Sequence, residues 1–199
     1  MLPASGSSLE FSFLGQRMQM GFVVKDLDAA LRYWTEVLNV GPFVVIGNAI
    51  AGRRVVYRGS ETNMELTLAF AYMGDVQIEL VYPSNDAASQ YKEYIESGRE
   101  GLHHVAYWPE RFESVCSRLE ASGFSEVCSV YGADGKRAVV HYDPPGHIGV
   151  MIELVPSSPA RLAYFSRMQR LAAEWDGARP IRRYDSLDAF LASGEGADG

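Results

Sequence analysis

Two short segments of the chain, Val76-Gln-Ile-Glu-Leu-Val81 and Val150-Met-Ile-Glu-Leu-Val155, have almost the same sequence. Each is an apolar run interrupted by one central glutamate, Glu79 in the first and Glu153 in the second, and each is typical of a β-strand. A shared Ile-Glu-Leu alone is weak evidence, because apolar strands resemble one another. The elements that precede the two segments, however, also repeat.

Each segment ends a similar succession of predicted strands around one helix. In the first half these elements are predicted at residues 19–24, 27–38, 43–46, 54–57, 64–72 and 76–82. In the second half they are predicted at residues 102–108, 112–119, 126–131, 137–142 and 148–155. The pattern indicates an internal duplication with a period of about 75–85 residues, in which each half is a βαβββ module and the first half has one additional short strand.

The sequence therefore predicts an α+β fold of two tandem modules followed by a C-terminal helical extension. Ser158 is a suitable helix cap in that extension, and the helix that it begins is interpreted as a cover over the sheet or a dimer contact. The predicted organisation has five parts. They are a flexible N-terminus (1–16), module one (17–83), a linker with a short helix (84–100), module two (101–156), and the extension with a disordered tail (157–199).

Composition restricts the function. The 199 residues include 18 basic and 25 acidic side chains, a net charge of −7, which argues against nucleic acid or an anionic membrane as the partner. No apolar run has the length of a membrane span, and the N-terminus does not resemble a signal peptide. Cys116 and Cys128 suit a reducing compartment, so we expect a cytoplasmic protein that acts on a small molecule.

Strand alternation places one metal-capable side chain on the less apolar face of each strand that begins or ends a module. These residues are Gln19, Glu79, His104 and Glu153. An unpaired buried carboxylate costs several kcal/mol, and a divalent cation would compensate two of them at matching positions. Gly21 and Ala106 leave room beside the candidate ligands. Taken singly, however, a glutamate in an amphipathic strand more often faces solvent.

Three stretches of sequence resemble the vicinal oxygen chelate superfamily, which includes glyoxalase I, methylmalonyl-CoA epimerase, extradiol dioxygenases and bleomycin resistance proteins. They are Gln19-Met-Gly-Phe-Val-Val-Lys-Asp-Leu-Asp28, Gly101-Leu-His-His-Val-Ala-Tyr107 and Asp143-Pro-Pro-Gly-His-Ile-Gly-Val-Met-Ile-Glu-Leu154. The resemblance covers residues 17–155 and implies a cupped mixed sheet around a metal pocket. The family's four ligand positions fall on the four residues named above, a pattern that is closest to glyoxalase I and methylmalonyl-CoA epimerase.

The resemblance implies one divalent metal per site, with zinc the first expectation and cobalt, nickel, manganese, magnesium or iron as alternatives. We expect a metal-dependent isomerase, epimerase or glyoxalase-like lyase acting on a small α-oxygenated carbonyl compound. The metal would stabilise an enediolate, Glu153 would act as the general base, and Glu79 would return the proton. Val23, Pro83 and Glu100 stand where glyoxalase I binds glutathione, which argues against a glutathione adduct as substrate.

Two other functions stay open on the same fold. A non-catalytic, drug-sequestering protein would use the glutamates as hydrogen-bond acceptors, without a metal. An Fe(II) extradiol-type dioxygenase is disfavoured because it needs two histidines and one carboxylate, and Gln19 replaces one histidine. We further expect a homodimer.

Three residues are predicted to contact the substrate: Arg54 on a strand, Trp108 at a strand end, and His147 in the Pro-Pro-Gly-His corner. For each of them a purely structural role is the ordinary alternative. Arg54 would then lie on a solvated edge, Trp108 in the core, and His147 in a turn.

Overall fold

Eleven β-strands form one continuous mixed sheet in a computed structural model that describes residues 13–15, 18–147 and 149–197. The side chains of Met18 and His147 are not among the described groups. Most of the predicted flexible N-terminus, residues 1–16, therefore lies outside the described residues, and so do residues 198–199 of the predicted tail.

The strands follow the predicted order, and two of them match the predicted bounds at both ends. They are β1 (Met18–Val23), β2 (Phe43–Ile46), β3 (Arg54–Tyr57), β4 (Ser60–Glu61), β5 (Leu66–Met73), β6 (Val76–Pro83), β7 (Gly101–Tyr107), β8 (Ser125–Tyr131), β9 (Arg137–Asp143), β10 (Met151–Leu154) and β11 (Ile181–Tyr184).

Five α-helices accompany the sheet in the described residues: α1 (Leu27–Arg32), α2 (Gln90–Glu96), α3 (Phe112–Ala121), α4 (Pro159–Ala173) and α5 (Leu187–Ala192). A π-helical turn, Tyr33–Val37, continues α1, and a 3-10 turn, Pro145–His147, precedes β10. Within the described part of the chain, no helix combines the length and the apolar character needed to cross a bilayer.

The sheet confirms the predicted α+β fold of two modules. Its strand order is β11-β2-β5-β6-β1-β7-β10-β9-β8-β3-β4, so that β1 and β7, the first strands of the two halves, lie side by side at the centre. They pair antiparallel, whereas β6 and β10 pair parallel with β1 and β7 on either side. The four strands that carry the predicted ligands are therefore contiguous.

Helices α1 and α3 cover the apolar face of the sheet, as the alternation predicts. Met20 and Phe22 of β1 pack in the core beneath α1. Ile152 and Leu154 of β10 pack in the corresponding core beneath α3. The opposite, concave face of the central strands is consequently the one that carries the polar candidates.

The run at residues 54–57 does not stay with the first half. It forms β3, which pairs antiparallel with β8 of the second half, and β4 extends that edge. Val55 is buried against Val130 and Cys128, so the strand closes an apolar core on the far side of the molecule. The strand itself was predicted, but the pattern of its residues does not specify a partner so far away.

The C-terminal extension contains a strand as well as helices. Ser158 caps α4 by accepting a hydrogen bond from the backbone N–H of Arg161, as predicted. Strand β11, which the sequence analysis did not place, adds in parallel to β2 at the edge of the sheet. Within the tail predicted to be disordered, residues 194–199, the backbone carbonyl of Glu195 accepts hydrogen bonds from Arg167, which ties this segment to α4.

We expect Phe190→Ala to lower the free energy of unfolding by about 3–5 kcal/mol, because Phe190 of α5 is fully buried against the sheet. Its neighbour Leu191 is 37% exposed, so Leu191→Ala should cost less than about 1 kcal/mol. Urea unfolding of both variants measures the difference. Equal, small losses would show that the extension is not part of the cooperative fold.

Candidate metal centre

Strand register gathers the candidate ligands into two neighbouring rows on the concave face. In one row, Gln19 is paired with Gln77 on one side and Ala106 on the other, and the row continues through Glu153 to His141. In the next row, Gly21 lies between Glu79 and His104. The small residues therefore stand between the large polar ones, as the sequence predicts.

Four of these side chains meet in one buried cluster. The Nε2 atom of His104 lies 3.2 Å from Oε2 of Glu79 and 3.0 Å from Oε2 of Glu153. The Nε2 atom of His141 lies 3.0 Å from the same oxygen of Glu153. All four side chains are buried, so solvent does little to screen their charges.

Gly21 is the residue that makes room for the cluster. A Cβ atom at this position would lie only 2.0–2.6 Å from three atoms of the His104 ring. Separations of that size are a hard steric clash, so any larger residue would push the imidazole out of place. The backbone of β1 thus forms one wall of the site.

His141 is a member of the cluster that the sequence analysis missed. It lies on β9, which pairs antiparallel with β10 and sets His141 opposite Glu153. A signal for it was present, because Val139 and His141 share one face of β9 while Val140 and Tyr142 pack into the core on the other. Strand β9 neither begins nor ends a module, so its polar face is not among those on which the sequence predicts ligands.

Gln19 lines a cavity beside the cluster. Its amide Nε2 donates a hydrogen bond to Oε1 of Gln77 at 2.7 Å. Gln77 in turn donates to the hydroxyl of Tyr72 at 3.0 Å. These hydrogen bonds fix the orientation of the Gln19 amide. Its carbonyl oxygen is then the atom that could coordinate a metal ion.

Two aromatic side chains and a third histidine hold the imidazoles in place. The Nδ1 atoms of His103 and His104 are 3.1 Å apart. Burial lowers the pKa of His103 to about 2, so this neutral ring accepts the Nδ1 proton of His104 and leaves Nε2 directed at the carboxylates. The Tyr91 hydroxyl lies 3.1 Å from Nε2 of His141, and the ring of Tyr94 packs edge-on against His103.

Opposite charges set the ionisation of the cluster. Burial would lower the pKa of His104, but Glu153 and Glu79 outweigh burial and raise it to about 10. Burial would raise the pKa of Glu153, but His141 and His104 outweigh burial and hold it well below its usual range. Burial raises the pKa of Glu79, which has a single imidazole contact. The raised pKa favours the protonated form of His104, whose Nε2 faces both carboxylates.

These residues fit a divalent metal ion. The Nε2 atom of His104 is buried and makes no well-aligned hydrogen bond among the described residues, although it lies 3.0–3.2 Å from two carboxylate oxygens. The donor atoms of His104, His141 and Glu153 all lie within 4.8 Å of one another. Ligand atoms at about 2.0–2.2 Å from one ion stand roughly 3 Å apart, close to the separations observed here.

A cavity of about 120 Å³ opens beside the donors. Glu79, His141 and Glu153 line it, together with apolar side chains of both halves. The extension closes one side, because Phe165 and Met168 of α4 also line the cavity. Every donor comes from the same chain, so the site does not need a second copy.

The three residues predicted to contact substrate have different outcomes. Trp108 lines the cavity. Arg54 does not reach it, since its guanidinium stacks on the ring of Tyr131 and lies 3.7 Å from Glu61. The adjacent Arg53 lines the cavity instead, because neighbouring residues point to opposite sides. The side chain of His147 lies outside the described groups.

A model of the Glyoxalase/Bleomycin resistance protein/Dioxygenase superfamily matches residues 18–140 of the sequence. The chain belongs to this superfamily. The match spans both halves of the sheet up to β9, and it confirms the family resemblance that the sequence motifs indicated. No curated protein matches the sequence.

Solved structures share the fold at low sequence identity. The methylmalonyl-CoA epimerase of Mycobacterium tuberculosis is 21% identical, with a TM-score of 0.51 over 82% of this chain and 97% of its own. A methylmalonyl-CoA epimerase variant from Streptomyces coelicolor is 18% identical, with a TM-score of 0.52 over 72% of this chain and 98% of its own. A hypothetical protein from Bacillus halodurans C-125 is 20% identical, with a TM-score of 0.51 over 72% and 94%. At such identities the likeness extends to the fold alone.

We expect Gly21→Ala to abolish stoichiometric metal binding, because the added methyl group occupies the position of the His104 ring. Gly47→Ala is the matched control, since its Cβ would meet no atom closer than 3.7 Å. Elemental analysis of both purified variants, with thermal melts to confirm folding, measures the effect. Full metal content in a folded Gly21→Ala protein would contradict the assignment of His104 as a ligand.

Proposed function

We propose that this chain is a divalent-metal-dependent enzyme that moves a proton on a small α-oxygenated carbonyl compound. Isomerisation, epimerisation and a glyoxalase-like lyase step are the reactions of this kind. The observation that supports the proposal is the convergence of two buried carboxylates and two buried imidazoles on one cavity. Buried carboxylates are costly, and a structural core would gain more from apolar residues.

We assign His104, His141 and Glu153 as the principal metal ligands, with Gln19 and Glu79 beside them. A divalent ion held there would polarise a substrate carbonyl and acidify the adjacent C–H bond. Zinc remains the first expectation for two imidazoles and a carboxylate, although the same donors accept the other ions named above. The predicted homodimer remains a prediction, because the site is complete within one chain.

The two carboxylates are the groups that would carry the proton. Oε2 of Glu153 contacts both imidazoles, whereas Glu79 contacts only His104. The contacts therefore favour Glu79 as the carboxylate that is free to take or return a proton, and Glu153 as the one more firmly held. The apolar walls of the cavity exclude water from the reacting atoms. The Tyr91 hydroxyl lies 3.1 Å from Nε2 of His141, the nitrogen that also faces Glu153, so it would give up this contact when His141 binds the ion.

A second candidate is an Fe(II) oxygenase, and one observation favours it. The four ligands expected from the sequence include only one histidine, which disfavours this class of enzyme. With His141 in the cluster, His104, His141 and Glu153 form the two-histidine, one-carboxylate set that such enzymes use. The cluster therefore meets the two-histidine requirement, and the identity of the bound metal would distinguish an oxygenase from a proton-transfer enzyme.

We expect Glu79→Gln to retain about one metal ion per chain and to lose proton transfer by roughly 10²–10⁴-fold. Glu153→Gln should lose both, because it removes the carboxylate that contacts two imidazoles. Elemental analysis of tag-free protein gives the metal content. Exchange of the C–H hydrogen of small 2-hydroxy and 2-oxo compounds with D₂O, followed by NMR, gives the proton transfer.

Glu61→Gln serves as the control, since Glu61 is an exposed glutamate on β4, distant in the sheet order from the centre. Wild-type exchange in Glu79→Gln would overturn its role as proton carrier. Iron with oxygen uptake, and no C–H exchange, would favour the oxygenase. A protein that binds no divalent ion would be a non-catalytic binding module instead.

A further inference from the structure

Two arginines line the same cavity as the metal donors, Arg53 before β3 and Arg161 in α4. The backbone N–H of Arg53 donates to the carbonyl of Ile50 at 3.2 Å, but its guanidinium makes no hydrogen bond or ion pair with any residue in the described part of the chain. Arg161 uses Nε on the hydroxyl of Tyr164 at 3.2 Å and Nη1 on the carbonyl of Pro156 at 2.9 Å, so Nη2 is left over. Neither has a carboxylate partner, in a protein whose net charge is −7.

The cavity has a deep end and an open end. Glu79, His141 and Glu153 are buried, whereas Arg53 is exposed and Arg161 is half-buried. The two carboxylates at the deep end already contact imidazoles, and no other acidic side chain is among the described residues that line the cavity. The guanidinium groups of Arg53 and Arg161, which have no carboxylate partner among the described residues, therefore lie on the solvent side of the cavity.

Most of the other side chains that line the cavity are apolar. Leu66, Leu68 and Phe70 of β5 line one side, and Phe165 and Met168 of α4 line another. The volume of about 120 Å³ is slightly below that of an apolar cavity of about 150 Å³ that accepts benzene. A ligand body of one ring or a short branched chain fits this space.

From these observations we propose that the cavity takes a small carboxylic acid with an apolar body, its carboxylate held by Arg53 and Arg161 and its body between β5 and α4. A guanidinium binds a carboxylate through paired N–H donors, which Arg53 offers in full, while Arg161 adds the donors of Nη2. The inference rests on the proposed function only for the oxygenated end of the substrate, which would face the metal donors. The extension thereby contributes to the specificity of the site, since it supplies Arg161, Phe165 and Met168.

The test compares ligands of nearly the same size and shape, one charged and one neutral. Phenylacetate and its neutral isostere phenylacetamide are titrated by ligand-observed NMR into the full-length protein, once as purified and once after chelation of metals. We expect phenylacetate to bind at least about 10-fold more tightly than the amide in both states. Acetate, which lacks the apolar body, should bind more weakly than phenylacetate.

Substitutions test whether Arg53 and Arg161 bind the carboxylate of the ligand. Arg53→Gln and Arg161→Gln should each weaken phenylacetate binding, together by about 10-fold or more, without changing the affinity for the amide. Arg118→Gln is the control, because Arg118 is exposed on α3 and stacks on Phe13 away from the cavity. Thermal melts establish that each variant is folded, and the amide affinity shows that its cavity is intact.

Equal affinities for acid and amide, no binding of either, or the same loss in the Arg118→Gln control would overturn the proposal. Coenzyme A that binds in an arginine-dependent way while phenylacetate does not would assign the arginines to a carrier phosphate, and would also overturn it. Acid binding that survives in a protein without a metal site supports this inference while the proposed function fails. Metal binding without a preference for the acid refutes this inference alone.

Discussion

Two carboxylates buried on the concave face of the sheet, Glu79 and Glu153, are the constraint around which the rest of the site is built. Each lies in the middle of an apolar strand, and each contacts an imidazole that is itself buried. Such an arrangement costs free energy unless a cation compensates the charge. Gly21 and Ala106 make room for the buried polar side chains, because they are small residues in the strands that lie between them.

The duplication supplies the geometry that this constraint needs. Pairing of β1 with β7 joins the two halves, and it brings ligands from the first and last strands of each module into adjacent rows. Both ends of the long sheet are then completed by segments from elsewhere in the chain, β3 and β4 at one edge and β11 at the other. The extension that carries β11 also carries α4, so the same segment that covers an edge forms a wall of the cavity.

Local sequence was informative wherever a residue's role depends on its own strand. Alternation and capping act over a few residues, and they suffice to predict the bounds of β2 and β3 and the cap at Ser158. Alternation also predicts that one face of the sheet carries Gln19, Glu79, His104 and Glu153. The partner of β3 and the addition of β11 depend on pairing between distant segments, and a short apolar strand does not encode its partner. His141 and Tyr91 were missed for a related reason, because their importance comes from what lies opposite them rather than from their neighbours in sequence.

We propose that the buried cluster is a metal centre made of nitrogen and oxygen donors. X-ray absorption spectroscopy at the zinc edge, on protein loaded with one equivalent of Zn²⁺, is the measurement that tests this proposal. We expect a first shell of nitrogen and oxygen atoms at about 2.0–2.1 Å, with the outer-shell scattering of two imidazoles. A shell of sulfur at about 2.3 Å would place the ion on a cysteine such as Cys128, which lies opposite His141 in the sheet, and would contradict the claim. A spectrum of hydrated zinc would contradict it as well.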